Sequence, residues 1–482
     1  MKKIHYLLSL PLIALCAACD LLDIQPVNRM VPVSVADYES ILLGGYPRVD
    51  FFTRTELATD NVYANLNSGR APEAALEPWF VWAATHQLAG AEDAYWNQLY
   101  SSIYYANTVL DNFRDRQPAP EEKNLFETVR GEAHALRAYC YFYLVNLYAE
   151  PWDEQNLDMP GVPMPLSAED VHQNTQDNTR VPVGKVWEQI DADLEAATRD
   201  LAGKTGVSPY RFDYTSLQAL KSRVYLFTRR YDEAIETATD VINTKVLSDM
   251  NSVQAHVDAR GNQAFFGNTG FIDTDYKNEV LFFVGGRANN NIYYYSSYPF
   301  KPAQELLDLC YRFPEDSTRD YRRYIFDAFP LLDSEKLQNG PTVYRMFATQ
   351  EKYSYYIGFK VSEAYVTRAE ARARQDDKQG AVDDLNRLLV TRYKRGTFTP
   401  LLADDFTGEQ LLRRVLEERR LELAFDGGLR WFDLRRLGKA ERVVHVYKDA
   451  TIYTLEPGDP RYVLQIPASE QENSPNMPLN PR

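Results

Sequence analysis

Cys19 carries the clearest chemistry in this sequence, because a thiol at this position can be acylated. A short basic start and an apolar run over residues 4–18 precede it, and the run ends in the small pair Ala17-Ala18. A run of this length with small residues at its end is typical of a secretory signal and too short for a membrane span. We therefore predict a signal peptide over residues 1–18 and a lipid anchor on the Cys19 thiol.

Two other interpretations of this segment stay open. Cys16 is a second candidate for acylation, although Leu15 before it is bulkier than a signal-cleavage pocket accepts. The chain could instead be an ordinary secreted protein in which Cys19 is incidental. On the lipoprotein interpretation, everything after Cys19 functions outside the cytoplasm and is held at a membrane by acyl chains.

A second candidate for chemistry is the segment of residues 417–438, in which acidic and basic residues alternate closely. Glu418 and Glu422 lie four residues apart, so they share one face of a helix. Paired carboxylates of this kind can serve acid–base catalysis. Because several arginines adjoin them, we favour an ion-pair network that fixes a helical corner, and we predict no catalytic residue.

The spacing within this segment suggests particular ion pairs. Arg419 and Glu422 are three residues apart and can pair on one helix, and Asp433 could accept a guanidinium such as that of Arg430. The Gly-Gly pair at Gly427 permits a left-handed helix cap. A second short helix is then expected to fold back onto the first.

Two aromatic segments could bind sugar rings, because an aromatic side chain covers the face of a ring and polar groups bind its hydroxyls. The first segment holds Trp79 and Trp82, three residues apart. The second places an arginine and amides beside tyrosines, and its candidates are Arg287, Asn290, Tyr293, Tyr294, Tyr295 and Tyr298. Core packing of the tryptophans and in-out strand packing of the tyrosines remain equal alternatives.

The composition excludes several classes of function. A net charge of -15 speaks against nucleic acid and against anionic lipid surfaces, both of which require basic patches. The six histidines are scattered, and no Cys/His cluster has the spacing of a metal site. We assign no residue to a metal site, and we predict no cofactor and no nucleic-acid partner.

Helical periodicity dominates the elements that would position these residues. Residues 133–147 are apolar on almost all sides, which predicts a central buried helix, and residues 187–201 carry a single apolar stripe. Two further segments, 217–242 and 364–389, each read as helix, tight turn and helix. Small residues at the approach of the paired helices are typical of tetratricopeptide-type repeats, although other helical hairpins look alike.

The region of about 244–356 is different, because Asn, Gly, Pro and Tyr are frequent and helical periodicity is weak. We predict an irregular insert with a strand at 279–284, and long irregular inserts on a rigid scaffold commonly carry binding sites. Near the end, residues 462–466 also read as a strand. Cys140 and Cys310 could form one disulfide, but Cys140 lies in a dense apolar pattern, which favours two buried thiols.

With these motifs in order, the chain resembles the SusD/RagB family of outer-membrane lipoproteins over nearly its whole length. The family pattern near the carboxyl end is present as Glu418-Arg419, Glu422-Leu423, Gly427, Arg430-Trp431, Asp433-Leu434 and Arg436. Asp426 replaces the usual glutamate, and Gly428-Leu429 lengthens the turn by one residue. Further blocks match around Gly131-Glu132-Ala133, Leu136-Arg137-Ala138-Tyr139, Tyr148, Pro151, Trp96, Tyr100, Ile103, Ala106-Asn107, Leu110, Ile466-Pro467, Glu470, Asn473 and Asn480-Pro481.

The resemblance implies a mainly α fold: a SusD-like domain over residues 19–482, with a tetratricopeptide-like helical scaffold and an irregular, loop-rich portion that binds ligand. It also implies a surface-exposed, lipid-anchored location at the outer membrane and a SusC-like TonB-dependent transporter as partner. The implied ligand is an oligosaccharide, or a peptide in some members, and the family is not enzymatic. An extracellular glycan hydrolase and a scaffold that binds only protein remain as alternatives.

Overall fold

The structure is a computed structural model, and it describes residues 32–48, 52–66, 74–88, 90–172, 179–206, 208–251, 279–284, 300–310, 312, 319–322, 356–438 and 442–482. Fifteen helices lie within the described residues. Their bounds are α1 Val35–Gly45, α2 Phe52–Leu57, α3 Glu77–Phe80, α4 Ala94–Phe113, α5 Lys123–Tyr148, α6 Ala168–His172, α7 Val183–Leu201, α8 Tyr214–Phe227, α9 Tyr231–Thr244, α10 Gln304–Cys310, α11 Val361–Arg374, α12 Lys378–Arg392, α13 Gly408–Leu423, α14 Leu429–Arg436 and α15 Ala468–Asn473. The fold is therefore mainly α, as predicted.

Within the described residues, the strands are short and form two-stranded sheets. They are β1 Val62–Ala64, β2 Val280–Val284, β3 Phe300–Pro302, β4 Tyr356–Lys360, β5 Val443–Tyr447 and β6 Thr451–Leu455. The antiparallel pairs are β1 with β3, β2 with β4, and β5 with β6. Because β1 and β3 lie far apart in the chain, their ladder ties the amino-terminal region to the irregular insert. The strand predicted at 279–284 is confirmed as β2.

Helix α5 is the centre of the scaffold, as its apolar sequence predicts. Almost every residue from Gly131 to Tyr148 is buried, on all sides of the helix. Gly131 is required where α5 meets α7, because a β-carbon there would lie 2.8 Å from the Leu201 side chain. Across the same contact, Arg137 binds Asp193 at 2.7 Å. A buried salt bridge between two packed helices fixes their register.

The two predicted helical hairpins are confirmed. Helices α8 and α9 form the first, and α11 and α12 form the second. Each turn contains one non-glycine residue in the left-handed region, Arg229 with φ 58° and Asp376 with φ 63°. The two hairpins also pack on each other through α9 and α11. This stacking of similar hairpins is the arrangement expected of repeat scaffolds.

The carboxyl end of α5 is bound by groups from distant segments. The Tyr148 carbonyl accepts hydrogen bonds from Arg180 Nη2 at 3.1 Å and Asn480 Nδ2 at 2.8 Å. Arg435 donates to the Ala149 carbonyl. The last carbonyls of a helix lack partners within it and carry its negative dipole end, so buried cations are stabilised there.

The strand predicted at residues 462–466 is wrong. Pro460–Tyr462 forms a 3-10 turn, and the residues that follow are extended without a strand partner. Leu464 N instead donates to the Leu147 carbonyl at 2.9 Å. A carbonyl at the end of α5 therefore accepts the backbone hydrogen bond that a neighbouring strand would otherwise accept.

Cys140 and Cys310 are both free and buried, which confirms the prediction of two thiols. Burial raises the pKa of both thiols well above the ordinary range. They therefore behave as small apolar side chains. Among the helices that the structure describes, none combines the length and apolar character needed to cross a membrane.

Candidate functional site

Trp79 and Trp82 are both core residues in the structure, so neither ring forms an exposed platform for a sugar. Their side chains are 3% and 5% exposed. Trp79 packs edge-on against Tyr95 and His86, and Trp82 donates from Nε1 to the Ala58 carbonyl at 2.9 Å. Of the two alternatives for these residues, the structure favours core packing: Trp79 lies on the short helix α3, and Trp82 lies in the turn after it, with φ 50°.

Trp82 belongs to a buried aromatic stack that the sequence did not indicate. The His445 ring lies between Phe80, with ring centres 4.0 Å apart, and Trp82, at 4.3 Å. Its Nδ1 is 2.6 Å from the Phe80 carbonyl oxygen and its Nε2 is 3.0 Å from that of Thr59. Burial lowers the pKa of His445, and these carbonyls oppose that effect. The stack fastens strand β5 to the amino-terminal region.

The second predicted segment, with Arg287, Asn290, Tyr293, Tyr294, Tyr295 and Tyr298, lies outside the described residues. The strands on either side of it are described. Val284 ends β2 beside β4, and Phe300 opens β3 beside β1. Phe300 packs on Phe80 with ring centres 4.8 Å apart. Phe300, two residues after Tyr298 in the sequence, thus packs next to the aromatic stack around His445.

The charged corner predicted at residues 417–438 exists, but its ion pairs differ from those expected. Arg419 binds Asp433 at 2.9 Å and does not pair with Glu422. Arg430 binds Asp60 at 2.6 Å, so Asp433 instead receives Arg419 and Arg436. The Gly-Gly turn carries α14 back across α13, which brings Asp433 under the guanidinium of Arg419. Gly427 and Gly428 both have positive φ, as predicted.

The two glutamates that could have served acid–base catalysis are held by cations. Glu418 binds Arg322 and Arg414, both at 2.7 Å. Glu422 binds Arg392 at 2.9 Å. Burial alone would raise the pKa of each carboxyl, but the neighbouring cations hold both at about 2. Carboxylates that stay ionised and paired do not exchange protons near neutral pH, so the corner is structural.

The corner ties four distant parts of the chain together. Arg436 binds Glu370 of α11 at 2.7 Å, and Arg322 also binds Asp320 at 2.7 Å. Arg392 of α12 bridges Glu422 to Glu279, which it contacts at 2.8 Å. The family-like motif therefore organises the scaffold and does not line a reactive site.

Glu56 is a buried acid that the sequence did not single out. It is 1% exposed and accepts a hydrogen bond from Asn61 Nδ2 at 2.7 Å. Burial raises its pKa to about 7, and within the described residues no cation pairs with it directly. Its neighbour Asp60 pairs with Arg430 instead, and the effect of this cation on the pKa outweighs that of burial. The pKa of Asp60 is therefore about 2.

One cavity, of about 360 Å³, lies beside the amino-terminal half of α5. Two basic side chains of its lining pair with glutamates. Arg211 binds Glu132 and Glu39, both at 2.7 Å, and Lys204 binds Glu127 at 3.1 Å. In the described part of the chain, no group of His, Cys, Asp and Glu side chains could hold a metal ion.

Models of known protein families match two consecutive parts of the chain. The model described as "Starch-binding associating with outer membrane" matches residues 20–226, and the model described as "SusD family" matches residues 342–482. The two matches follow each other in chain order, and most of the irregular insert lies between them.

Individual relatives have low sequence identity and a closely similar fold. "SusD-like protein P2" of Formosa agariphila is 24% identical over an alignment of 434 residues, which covers 81% of this chain and 81% of that protein. A SusD superfamily protein from Bacteroides thetaiotaomicron has a TM-score of 0.72 at 21% identity, covering 93% of this chain and 100% of that one. A SusD-like carbohydrate binding protein from Bacteroides vulgatus has a TM-score of 0.68 at 19% identity, covering 92% and 97%.

Proposed function

The chain belongs to the SusD/RagB family, a family of non-catalytic binding proteins, and from this premise we propose that it captures oligosaccharides at the cell surface. The two ordered family matches carry this proposal. On the same basis we propose that the chain is anchored at the outer membrane through Cys19 and delivers its ligand to a SusC-like TonB-dependent transporter.

The paired carboxylates of the corner are consistent with binding without turnover. Glu418 and Glu422 are ionised and enclosed by arginines, and neither can act as the protonated acid that glycoside hydrolysis requires. A peptide ligand remains the second candidate, because the resemblance includes peptide-binding members. Release of sugars from a polysaccharide by the purified chain would contradict the binding function.

The ligand site is proposed at the tyrosine segment, with Tyr294 and Tyr298 as ring-stacking residues. Replacing either with alanine is expected to weaken oligosaccharide binding about tenfold. The reason is that stacking of a sugar ring on an aromatic face contributes roughly 1–1.5 kcal/mol. The measurement is calorimetric titration with the glycan that scores best on a glycan array.

Trp79 serves as the contrasting position in this experiment. Because its indole is buried, Trp79→Ala is expected to lower the melting temperature and not to act on binding alone. If Tyr294→Ala and Tyr298→Ala both bind with unchanged affinity, these tyrosines are not the site. If no glycan binds the wild-type chain, oligosaccharide capture itself is contradicted.

The anchor is tested with two matched cysteine variants. Cys19→Ser is expected to move the chain from the membrane fraction to the soluble fraction, because the acylated thiol is lost. Cys16→Ser removes the competing thiol and is expected to leave the chain in the membrane fraction. The opposite result for the two variants would assign the lipid to Cys16, and membrane retention in both would rule out a thiol-linked anchor.

A further inference from the structure

A second described cavity, of about 200 Å³, lies between α13 and α14 on the outer side of the charged corner. Its charged lining consists of Arg413, Glu417, Arg420 and Arg430. Leucines of the same two helices complete its wall. Three arginines therefore face one glutamate in a chain whose net charge is -15.

Two of these arginines share a single carboxylate. Arg430 donates from Nε and Nη2 to the two oxygens of Asp60, at 2.7 and 2.6 Å. Arg420 reaches the same carboxylate only at 3.3 Å, and its shorter bonds go to Asn61 Oδ1 and the Asp60 carbonyl. Asp60 therefore neutralises Arg430, whereas Arg420 is surrounded mainly by neutral acceptors.

Both guanidinium groups retain donors for a ligand. The Nη1 groups of Arg420 and Arg430 make no hydrogen bond among the described residues, and neither belongs to the fully buried unpaired atoms. Burial lowers the pKa of Arg420, as expected for a cation whose charge is incompletely balanced. Desolvated guanidinium donors bind carboxylate and sulfate groups strongly.

The remaining charged residues at the rim of the cavity pair with residues that are not part of its lining. Glu417 lies 3.5 Å from Arg312, and Arg413 lies 3.4 Å from Glu409, in a largely exposed pair. The cavity lining itself therefore carries three guanidinium groups and one carboxylate, and the Asp60 carboxylate behind it contacts both Arg420 and Arg430.

We propose that this cavity binds a compact organic anion, whose carboxylate or sulfate group accepts hydrogen bonds from Arg420 and Arg430. The leucine wall packs against the uncharged body of the ligand. None of the residues that line this cavity belongs to the tyrosine segment, so the proposal does not depend on oligosaccharide capture.

The test is calorimetric titration of the chain from residue 20 onward, at low salt, with acetate, sulfate, glucuronate and glucose. Acetate, sulfate and glucuronate are expected to bind saturably and more weakly at high salt, whereas glucose, which lacks the charge, is expected not to bind. Sulfate binding alone would assign the site to an inorganic anion and contradict an organic ligand. Glucuronate binding above acetate would identify an acidic sugar as the preferred ligand.

Rim variants keep the test independent of folding. Arg413→Gln is expected to weaken glucuronate binding about three- to fivefold, and Glu417→Gln to strengthen it by a similar factor, since each changes one partly exposed charge. Arg395, 81% exposed in its side chain and not part of the lining, provides the matched control Arg395→Gln. Equal affinity in all three variants, or equal binding of glucose and glucuronate, would overturn the proposal.

Discussion

Arg430 binds a carboxylate that lies 370 residues away in the sequence, although Asp433 is only three residues distant. A guanidinium forms its best contact where two oxygens match its two parallel N–H groups, and Asp60 offers that geometry. Asp433 is thereby left for Arg419 and Arg436. Charge type along the chain indicates that ion pairs form, but the fork geometry of each arginine decides which ones.

Glu56 provides a prediction at the residue scale. Its pKa in the folded chain, about 7, lies above the ordinary value of 4.5, so its contribution to stability is complete below pH 4.5 and is lost as the pH rises through 7. Glu56→Gln is expected to remove this loss and to gain about 1–3 kcal/mol relative to wild type between pH 5 and pH 8. Urea unfolding at the two pH values measures the difference.

The control for this prediction is Glu409→Gln, because Glu409 has an exposed side chain on the first turn of α13. It is expected to unfold with the pH dependence of wild type. A Glu56→Gln variant that loses as much stability as wild type between pH 5 and pH 8 would show that Glu56 is ordinarily ionised in the folded chain.

At the scale of elements, the helices follow the sequence closely, whereas of the two predicted strands only the one at 279–284 is present. The apolar period of α5 and the two hairpins are local properties, and the structure confirms them. The extended segment after Tyr462 has an apolar composition like that of a strand. Its backbone N–H, however, donates to a carbonyl at the end of α5 and not to a neighbouring strand. Strand pairing depends on a distant partner, which a local pattern does not specify.

The corner between α13 and α14 provides the prediction at this scale. Asp433→Asn weakens both ion pairs of this carboxylate and leaves the fully buried Arg419 with only the more distant Glu370, at 3.9 Å, as an anion. We expect a loss of about 3–5 kcal/mol, as is usual when one partner of a buried ion pair is removed. Chemical denaturation of the variant measures it, with the exposed Asp404→Asn as control. A loss equal to that of the control would contradict the structural role of the corner.

At the scale of the whole molecule, distant segments are joined by contacts that burial makes strong. The stack around His445 fastens β5 to residues near Phe80, and the buried arginines connect α11, α12 and α13 to the segments around Glu279 and Asp320. Such contacts between remote segments favour cooperative unfolding, because unfolding of one segment removes contacts that stabilise the other.

Acid unfolding follows from these ion pairs. Cations hold the pKa values of Glu370, Glu418 and Glu422 at about 2, below the ordinary 4.5, despite burial. Their stabilisation is complete above pH 4.5 and is lost as the pH falls toward 2, at roughly 1–3 kcal/mol each. We expect one cooperative loss of helical circular dichroism within that window. Separate transitions, or full helicity at pH 2, would contradict this coupling.

The sequence alone determined the helical class, the two hairpins, the buried central helix, the corner turn and the family resemblance, because hydrophobic period and glycine position act within a few residues. Only the tertiary structure decided that Trp79 and Trp82 are buried, that His445 lies between two aromatic rings, and that Arg420 and Arg430 share Asp60. These outcomes depend on which distant surfaces meet and exclude water, and that information resides in the packed chain as a whole.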